Sequence, residues 1–253
     1  MIRLGLCSVT FRKKSPEEVI EIARSNGLDG IEWGGDIHVP PKTAPSRVRE
    51  IVDRCRAAGI TIPSYGSYFN VLDHNPEDFT PIVETASLLG AGVIRIWAGW
   101  VKAGEMTPAQ FEKIVSTSRQ AAQMASGKKI KVAYEFHDNT PTEGGDNAIR
   151  LLQGVNHPNL YTYFQAVQPN DYQETLRNLE KVYPKLLYIH VQNNDGENSL
   201  PLVDFSDMWQ EIVRRLIGRK YDGYLFFEFN VDNSPEQLAK DVDLIRGFMA
   251  RQS

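Results

Sequence analysis

The stretch LLGAGVIRIW, residues 88–97, joins the end of a predicted helix to a short apolar strand through glycine. Glycine is the usual residue just past a helix, because it adopts the left-handed backbone conformation without a steric penalty. The same succession of helix end, glycine and apolar strand recurs along the chain, in SNGLDGIEW (25–33), AAGITIPSY (57–65), SGKKIKVAYEF (126–136) and IGRKYDGYLFFEF (217–229).

Helix starts recur with the same regularity. A capping residue stands directly before proline at Ser15-Pro16, Asn75-Pro76, Thr107-Pro108 and Ser234-Pro235. The side-chain oxygens of such residues accept hydrogen bonds from free backbone N–H groups, and proline suits the first helical position. Apolar residues follow at helical spacing, as in the series Leu238, Val242, Ile245 and Phe248.

Eight predicted strands alternate with eight helical segments; they are LGLCSV, GIEWG, ITIPSY, VIRIWA, KVAYEF, LYTYFQ, LLYIHV and YLFFEF. Strict alternation predicts an α/β fold with a parallel sheet and helices outside it. Eight units in 253 residues match a single (β/α)8 TIM barrel, which we expect to span residues 1–253 as one domain. A doubly wound open sheet is the alternative, but LGLCSVTFR lacks the Gly-rich phosphate fingerprint that such a sheet carries after its first strand.

Composition limits the classes of partner. The formal charge of -4 argues against a nucleic-acid surface, which needs clustered Lys and Arg. No apolar run reaches the ~18 residues of a membrane span, and MIRLGLCSVTFR does not resemble a signal peptide. Two cysteines suit a reducing compartment. We therefore expect a cytoplasmic protein with no nucleic-acid or membrane partner, and the sequence leaves a homo-oligomer open.

Polar side chains stand at the ends of the predicted strands, where barrels of this kind carry their chemistry. We expect Glu135, His190 and Glu228 to converge on one small opening. Two carboxylates and an imidazole, crowded and partly desolvated, predict a divalent cation between them. Taken singly, each has a structural alternative, as a solvated carboxylate or a hydrogen-bonded histidine. The other polar residues at strand ends are Glu32, Asp36, His38, Arg95, His137, Gln165, Gln168, Gln192 and Asn230.

This order of Glu, His and Glu on strands five, seven and eight resembles the xylose isomerase-like TIM barrels, the sugar-phosphate isomerase and epimerase superfamily. GLDGIEW and AAGITIPSYGSYFNV are also similar to that family. The resemblance implies one Mn²⁺, Mg²⁺ or Co²⁺ ion held by Glu135, the strand-six position, His190 and Glu228. It also implies that the two glutamates act as acid and base on opposite faces of a ketose. The superfamily includes apurinic-site endonucleases with three zinc ions, but five histidines cannot supply such a site, so DNA repair is excluded.

The sixth strand departs from the family pattern. Family members carry Asp there with His three residues later, whereas this chain has Gln165 and Gln168 in YTYFQAVQPN. An amide oxygen can ligate a hard ion but brings no charge. One charge pair near 4 Å contributes up to roughly 4 kcal/mol at an effective dielectric constant of about 20. We therefore expect the ion to bind weakly.

The resulting hypothesis is a metal-dependent isomerase or epimerase of a small sugar or polyol, acting by proton transfer next to a carbonyl through an enediolate. The segment QNNDGENSLP has no Lys or Arg, which favours an unphosphorylated substrate. Two alternatives remain open: a metal-free carbohydrate-binding barrel, and a metal-dependent polyol dehydratase or lyase. Glu32 and Arg95 could also pair with one another. The predicted substrate contacts are Glu32, His38, Tyr68, Arg95, Trp97, Gln168, Gln192 and Asn230.

Overall fold

The computed structural model describes residues 1–251 and contains a closed barrel of eight parallel strands, which confirms the predicted TIM barrel. The first strand pairs with both the second and the last, and these two pairings close the barrel. The barrel strands are β1 (Arg3–Cys7), β2 (Gly30–Gly34), β3 (Thr61–Asn70), β4 (Val93–Trp97), β5 (Lys131–Tyr134), β6 (Leu160–Phe164), β7 (Leu186–Val191) and β10 (Tyr224–Phe227).

A short antiparallel hairpin, which the sequence did not predict, follows the seventh barrel strand. It consists of β8 (Asn193–Asn194) and β9 (Ser199–Leu200). The hairpin is fastened to the loop after β6, because Asn170 N donates to the carbonyl of Asn194 at 3.0 Å. It therefore extends from the C-terminal end of the barrel, where the strands end.

Within residues 1–251, eight α-helices surround the barrel, and three of the four predicted caps begin an α-helix. Ser15 Oγ accepts a hydrogen bond from Glu18 N at 3.3 Å, and Thr107 and Ser234 cap their helices in the same way. The Asn75 signal instead begins a 3-10 turn, Pro76–Phe79. The helices are α1 (Pro16–Ser25), α2 (Pro45–Ala57), α3 (Thr80–Leu89), α4 (Pro108–Ser126), α5 (Gly145–Val155), α6 (Tyr172–Val182), α7 (Ser206–Gly218) and α8 (Pro235–Ala250).

The apolar core lies mainly between the strands and this ring of helices. Ile31 of β2 and Ile51 of α2, for example, are both fully buried. Inside the barrel, aromatic rings fill the N-terminal half, where Tyr188 packs edge-on against Phe226 with ring centroids 5.4 Å apart. Within residues 1–251, every helix is too short or too polar to cross a membrane.

Candidate active site

The strands deliver one cluster of polar side chains to the C-terminal end of the barrel. Inward-facing positions alternate along a strand, so a single polar residue near each strand end suffices to build the cluster. Every member is at most 6% exposed. We call this set the polar cluster; it consists of Cys7, Glu32, Arg95, Glu135, Gln165, His190, Gln192 and Glu228.

Arg95 is the permanent cation of the polar cluster. Its Nε donates to Glu32 Oε1 at 2.9 Å, and its Nη1 donates to Glu135 Oε2. Burial alone would raise the pKa of Glu135, but the charges of Arg95 and His190 hold that pKa below its ordinary value. Gly66 on β3 makes room for the guanidinium, since a Cβ there would lie 2.6 Å from Arg95 Nη2. Two buried ion pairs thus share one arginine.

Glu32 lies deepest in the polar cluster and is fully buried. Its Oε2 accepts hydrogen bonds from Ser64 Oγ and Tyr163 OH, each at 2.7 Å. Burial pushes the pKa of Glu32 upward, yet the charges of Arg95 and His190 bring it well below the ordinary range. Glu32 is therefore paired with Arg95, as the sequence alternative stated, and lies beneath the cavity instead of on its wall.

His190 presents its two ring nitrogens to different carboxylates. Nδ1 lies 3.1 Å from Glu135 Oε1 and 3.0 Å from Glu228 Oε2. Nε2 lies 3.3 Å from Glu32 Oε1 but makes no hydrogen bond within the described chain. Burial lowers the pKa of His190, whereas the charges of Glu228 and Glu135 raise it well above its ordinary value. The imidazole thus joins all three glutamates.

The donor set Glu135, His190 and Glu228 fits a hard divalent ion. Its donor atoms all lie within 4.8 Å of one another. Bonds of roughly 2.1 Å that meet at about 90° place neighbouring donors roughly 3.0 Å apart in octahedral coordination. The contacts of His190 Nδ1, at 3.0 and 3.1 Å, have this spacing as well as hydrogen-bond length.

The net charge of the polar cluster bears on whether it would bind a divalent ion. The crowding of two glutamates and a histidine predicted a divalent cation between them, and in the structure Arg95 also pairs with Glu135. Three buried carboxylates and one guanidinium leave a net charge of minus two, which protonation of His190, favoured by its raised pKa, reduces to minus one. A divalent ion that replaced this proton beside a neutral His190 would balance the charge, so the residues present fit the ion.

Gln165, the predicted fourth ligand, is 1% exposed beside the donor set. Its Oε1 accepts a hydrogen bond from Gln192 Nε2 at 3.0 Å, and Gln192 Nε2 also lies 3.4 Å from Glu228 Oε2. The carbonyl oxygen keeps a second lone pair, while Gln165 Nε2 is buried without a partner among residues 1–251. The two amides therefore extend the network toward Glu228.

A cavity of about 310 Å³ opens above the polar cluster. One wall is aromatic: the ring centroids of Trp97 and Trp100 are 4.4 Å apart, and those of Tyr68 and Trp97 are 6.1 Å apart. Glu135, Glu228, Gln168 and Gln192 also reach the cavity, and the β8–β9 hairpin contributes Asn194 and Ser199. Of the predicted substrate contacts, Tyr68, Arg95, Trp97, Gln168 and Gln192 line this space.

Two predicted substrate contacts, His38 and Asn230, bond to other parts of the chain in this structure, and their role in substrate binding stays a prediction. His38 lies in the loop after β2, with Nδ1 3.0 Å from Ser8 Oγ and Nε2 3.2 Å from the Lys14 carbonyl. Asn230 donates from Nδ2 to the Ser234 carbonyl at 2.9 Å. Both lie beyond the strand end, where alternation no longer dictates direction, and neither lines the cavity. Both side chains bond to neighbouring chain segments.

Other site residues were absent from the predicted set. Cys7 is the last residue of β1 and Ser64 the fourth residue of β3, and both side chains point inward to Glu32, so alternation could have identified them. His137 lines the cavity, and its Nδ1 lies 2.7 Å from the Asp138 carbonyl. That contact makes Nδ1 the protonated nitrogen and leaves Nε2 as an acceptor. Asn194 and Ser199 had no signal, because the hairpin itself was not predicted.

Known proteins with similar sequences or structures are also TIM barrels. The chain matches the family model of the xylose isomerase-like TIM barrel over residues 20–248. A curated relative, a 3-dehydroshikimate dehydratase from Bacillus anthracis, is 22% identical in a 169-residue alignment that covers 63% of this chain and 60% of the relative. The match thus spans less than two thirds of that relative.

Several solved structures superpose over nearly the whole chain. The probable 3-DHS dehydratase of Bacillus anthracis has a TM-score of 0.83 at 18% identity and covers 96% of this chain and 98% of its own. A xylose isomerase-like protein from Mycobacterium smegmatis in complex with magnesium gives 0.76 at 15% (99% and 98% covered). The D-allulose 3-epimerase of Methylomonas sp. gives 0.72 at 14% (100% and 98%). These superpositions show a shared fold, and the match of the family model over residues 20–248 shows that this chain belongs to the xylose isomerase-like TIM barrel family.

Proposed function

We propose that this protein is a metal-dependent isomerase or epimerase that transfers a proton at the carbon next to the carbonyl of a small, uncharged sugar or polyol. The observation that carries the proposal is the position of Glu135 and Glu228. Both carboxylates reach the cavity, and both lie within 3.1 Å of the same ring nitrogen of His190. A base and ion ligands are therefore available at one end of a cavity with room for one small molecule.

The two glutamates are suited to different roles. Arg95 holds Glu135 as a carboxylate with a lowered pKa, which favours a ligand over a proton acceptor. Glu228 has no arginine or lysine partner in the described chain, and its Oε1 lies 3.4 Å from Cys7 Sγ. Glu228 is therefore the proposed base that removes the proton, and His137 Nε2 is the second group in the cavity able to exchange one.

Glu135, His190 and Glu228, with Gln165 as a fourth donor, would hold the divalent ion. When bound, Mn²⁺, Mg²⁺ or Co²⁺ supplies stabilisation of the negative charge that develops on the substrate oxygen. The magnesium complex of the Mycobacterium smegmatis relative supports this part of the proposal. The chain's own contribution is to orient the substrate against the aromatic wall and to keep Glu228 within reach of the carbon-bound proton.

The cavity wall favours an uncharged substrate. Arg95 is the one positively charged side chain among the lining residues, and it is already engaged by Glu32 and Glu135. A substrate phosphate or carboxylate would therefore find no unengaged arginine or lysine side chain there. Trp97 and Trp100 instead offer apolar faces of the kind that cover the C–H face of a sugar ring.

Dehydration of a cyclic polyhydroxy ketone is the second candidate. It begins with the same proton removal, and the Bacillus anthracis relative is named for a dehydration. The observation that favours it is His137, which lines the cavity and whose Nε2, once it has accepted a proton, could pass one to a departing hydroxyl group. The same wall argues against the anionic 3-dehydroshikimate as the substrate of this chain.

Incubation in deuterated water with Mn²⁺ and a panel of ketoses and cyclic polyhydroxy ketones tests the proposal. Isomerisation or epimerisation replaces the transferred hydrogen by one deuteron, whereas dehydration removes one water, and mass spectrometry separates these results. Glu228→Gln should lower the rate by at least about 100-fold, the lower limit for a general base.

Asp222→Asn, at the opposite end of the barrel, is the matched control and should leave the rate unchanged. Equal rates of deuterium incorporation in wild type and Glu228→Gln, for a compound that the wild type does exchange, would contradict the proposed role of Glu228.

A further inference from the structure

A second donor set lies beneath the first and uses the other side of the same histidine. Cys7 Sγ, a Glu32 carboxylate oxygen and a His190 ring nitrogen lie within 4.8 Å of one another, and all three residues are fully buried. Cys7 Sγ lies 3.4 Å from Glu32 Oε1, and His190 Nε2 lies 3.3 Å from the same oxygen. We call these three residues the thiol set.

His190 Nε2 is the feature that points to a ligand. It is a buried polar atom without a hydrogen-bond partner in the described chain, although Glu32 Oε1 is only 3.3 Å away. An unsatisfied buried polar group costs about 1–3 kcal/mol. A group that bonded this nitrogen and the neighbouring sulfur and oxygen together would remove that cost.

The spacing of the thiol set differs from that of the upper donors. Tetrahedral coordination by sulfur, nitrogen and oxygen, with bonds of roughly 2.0 to 2.3 Å, separates the donors by roughly 3.3 to 3.6 Å. The contacts of 3.3 and 3.4 Å in the thiol set match these edges. The contacts of 3.0 and 3.1 Å around His190 Nδ1 match octahedral edges instead.

We propose that Cys7, Glu32 and His190 form a second metal-binding set that takes a thiophilic ion such as Zn²⁺, in competition with the hard ion at Glu135, His190 and Glu228. Both sets require His190, and a neutral imidazole offers only one lone pair. Occupation of the thiol set therefore withdraws the imidazole from the upper set. Zn²⁺ binding by itself does not rest on the proposed function, whereas the resulting inhibition does.

Electrostatics near the thiol set act in both directions. Arg95 Nε donates to Glu32 Oε1 at 2.9 Å, and its charge opposes a second cation. Glu228 Oε1 lies 3.4 Å from Cys7 Sγ and adds a further anionic donor. The three buried glutamates outnumber the one arginine, so the local charge favours a cation. Coordination deprotonates the thiol, and the proton passes to solvent.

Cobalt absorption tests the thiol set without any turnover. A thiolate bound to Co²⁺ gives a charge-transfer band in the near ultraviolet, which oxygen and nitrogen ligands alone do not give. The chain has two cysteines, so in Cys55→Ser such a band can come only from Cys7. We expect Co²⁺ to produce the band in wild type and Cys55→Ser and not in Cys7→Ser, with far-ultraviolet circular dichroism showing that each variant is folded.

The possible results are distinct. Bound Co²⁺ without the band in Cys55→Ser, or a band that persists in folded Cys7→Ser, overturns the inference and leaves the proposed function untouched. If Cys7→Ser does not fold, Cys55→Ser decides the question alone, and the reverse also holds. If the inference is correct, Cys7→Ser should weaken Zn²⁺ binding by about tenfold or more, the usual loss of affinity when a residue that supports a metal site is replaced. Mn²⁺ binding should stay unchanged.

Discussion

The two ends of this barrel differ in how they handle charge, although both carry a cavity. The N-terminal cavity, of about 440 Å³, is the larger, and its lining includes Arg3, Lys131, Lys220 and Asp222. The C-terminal cavity, of about 310 Å³, lies above the polar cluster. Cavity volume therefore does not distinguish the end that carries the polar cluster.

Exposure explains the difference. At the N-terminal end, Arg3 and Asp222 pair at 2.8 Å with side chains 42% and 71% exposed. Such surface pairs contribute about 0–1 kcal/mol, because water screens them. At the C-terminal end, the Arg95 and Glu32 side chains are 2% and 0% exposed. Burying a charge costs several kcal/mol unless the charge is paired. The buried charges at the C-terminal end therefore interact strongly with one another, and they would interact strongly with a bound ion or substrate.

The largest expected effect comes from removing the buried cation. Arg95→Met leaves two carboxylates buried without their partner and should lower the free energy of unfolding by about 3–5 kcal/mol. Arg3→Met, the matched change at the other end, should cost less than about 1 kcal/mol. Urea denaturation of the chelator-treated proteins measures both values. Equal losses would show that burial does not separate the two ends.

Metal addition should change stability by a smaller amount. At free Mn²⁺ near 100 times its dissociation constant, binding to the folded state adds about 2.7 kcal/mol to the free energy of unfolding. Glu135→Gln should lose most of this gain, because it removes a charged donor, and Asp222→Asn should keep it. Thermal unfolding with Mn²⁺ or chelator gives the result. A wild-type melting curve indifferent to Mn²⁺ would favour the metal-free carbohydrate-binding barrel.

The smallest expected effect concerns the aromatic wall. Trp100 is 57% exposed, so Trp100→Ala should change the free energy of unfolding by no more than about 0.5 kcal/mol. Loss of its ring should raise KM about fivefold, equivalent to roughly 1 kcal/mol of binding, with little change in kcat. Tyr183→Ala, at the N-terminal cavity, should leave both constants unchanged. A fall in kcat with constant KM would place Trp100 in the chemical step instead.

The barrel and the three residues Glu135, His190 and Glu228 of the polar cluster could be predicted from sequence, because both follow from the periodic spacing of residues in helices and strands. Alternation along strands placed Glu135, His190 and Glu228 at one end, and barrel closure brought them within 4.8 Å. The pairing of Arg95 with Glu32 was only an alternative, since it requires knowing that β2 and β4 point these side chains at one another across β3.

The rest of the site depends on loops, which carry no such period. His38 and Asn230 follow their strands closely in sequence, yet the chain turns before them and directs each to a neighbouring segment. The β8–β9 hairpin has strands of two residues, too short for an apolar pattern, so Asn194 and Ser199 had no signal. The positions of these four loop residues depend on the loop conformations, which no periodic pattern in the sequence predicts.

Gly66 is a small residue whose lack of a side chain leaves the space that Arg95 occupies. A methyl group there would meet the tip of Arg95, a flexible side chain that could ordinarily move aside, but here Glu32 and Glu135 both restrain it. A Gly66→Ala substitution adds only an uncharged methyl group, but it would displace the Arg95 guanidinium and disturb its ion pairs with Glu32 and Glu135. Variation at position 66 is governed by the arginine opposite it, so the two positions are expected to change together or not at all.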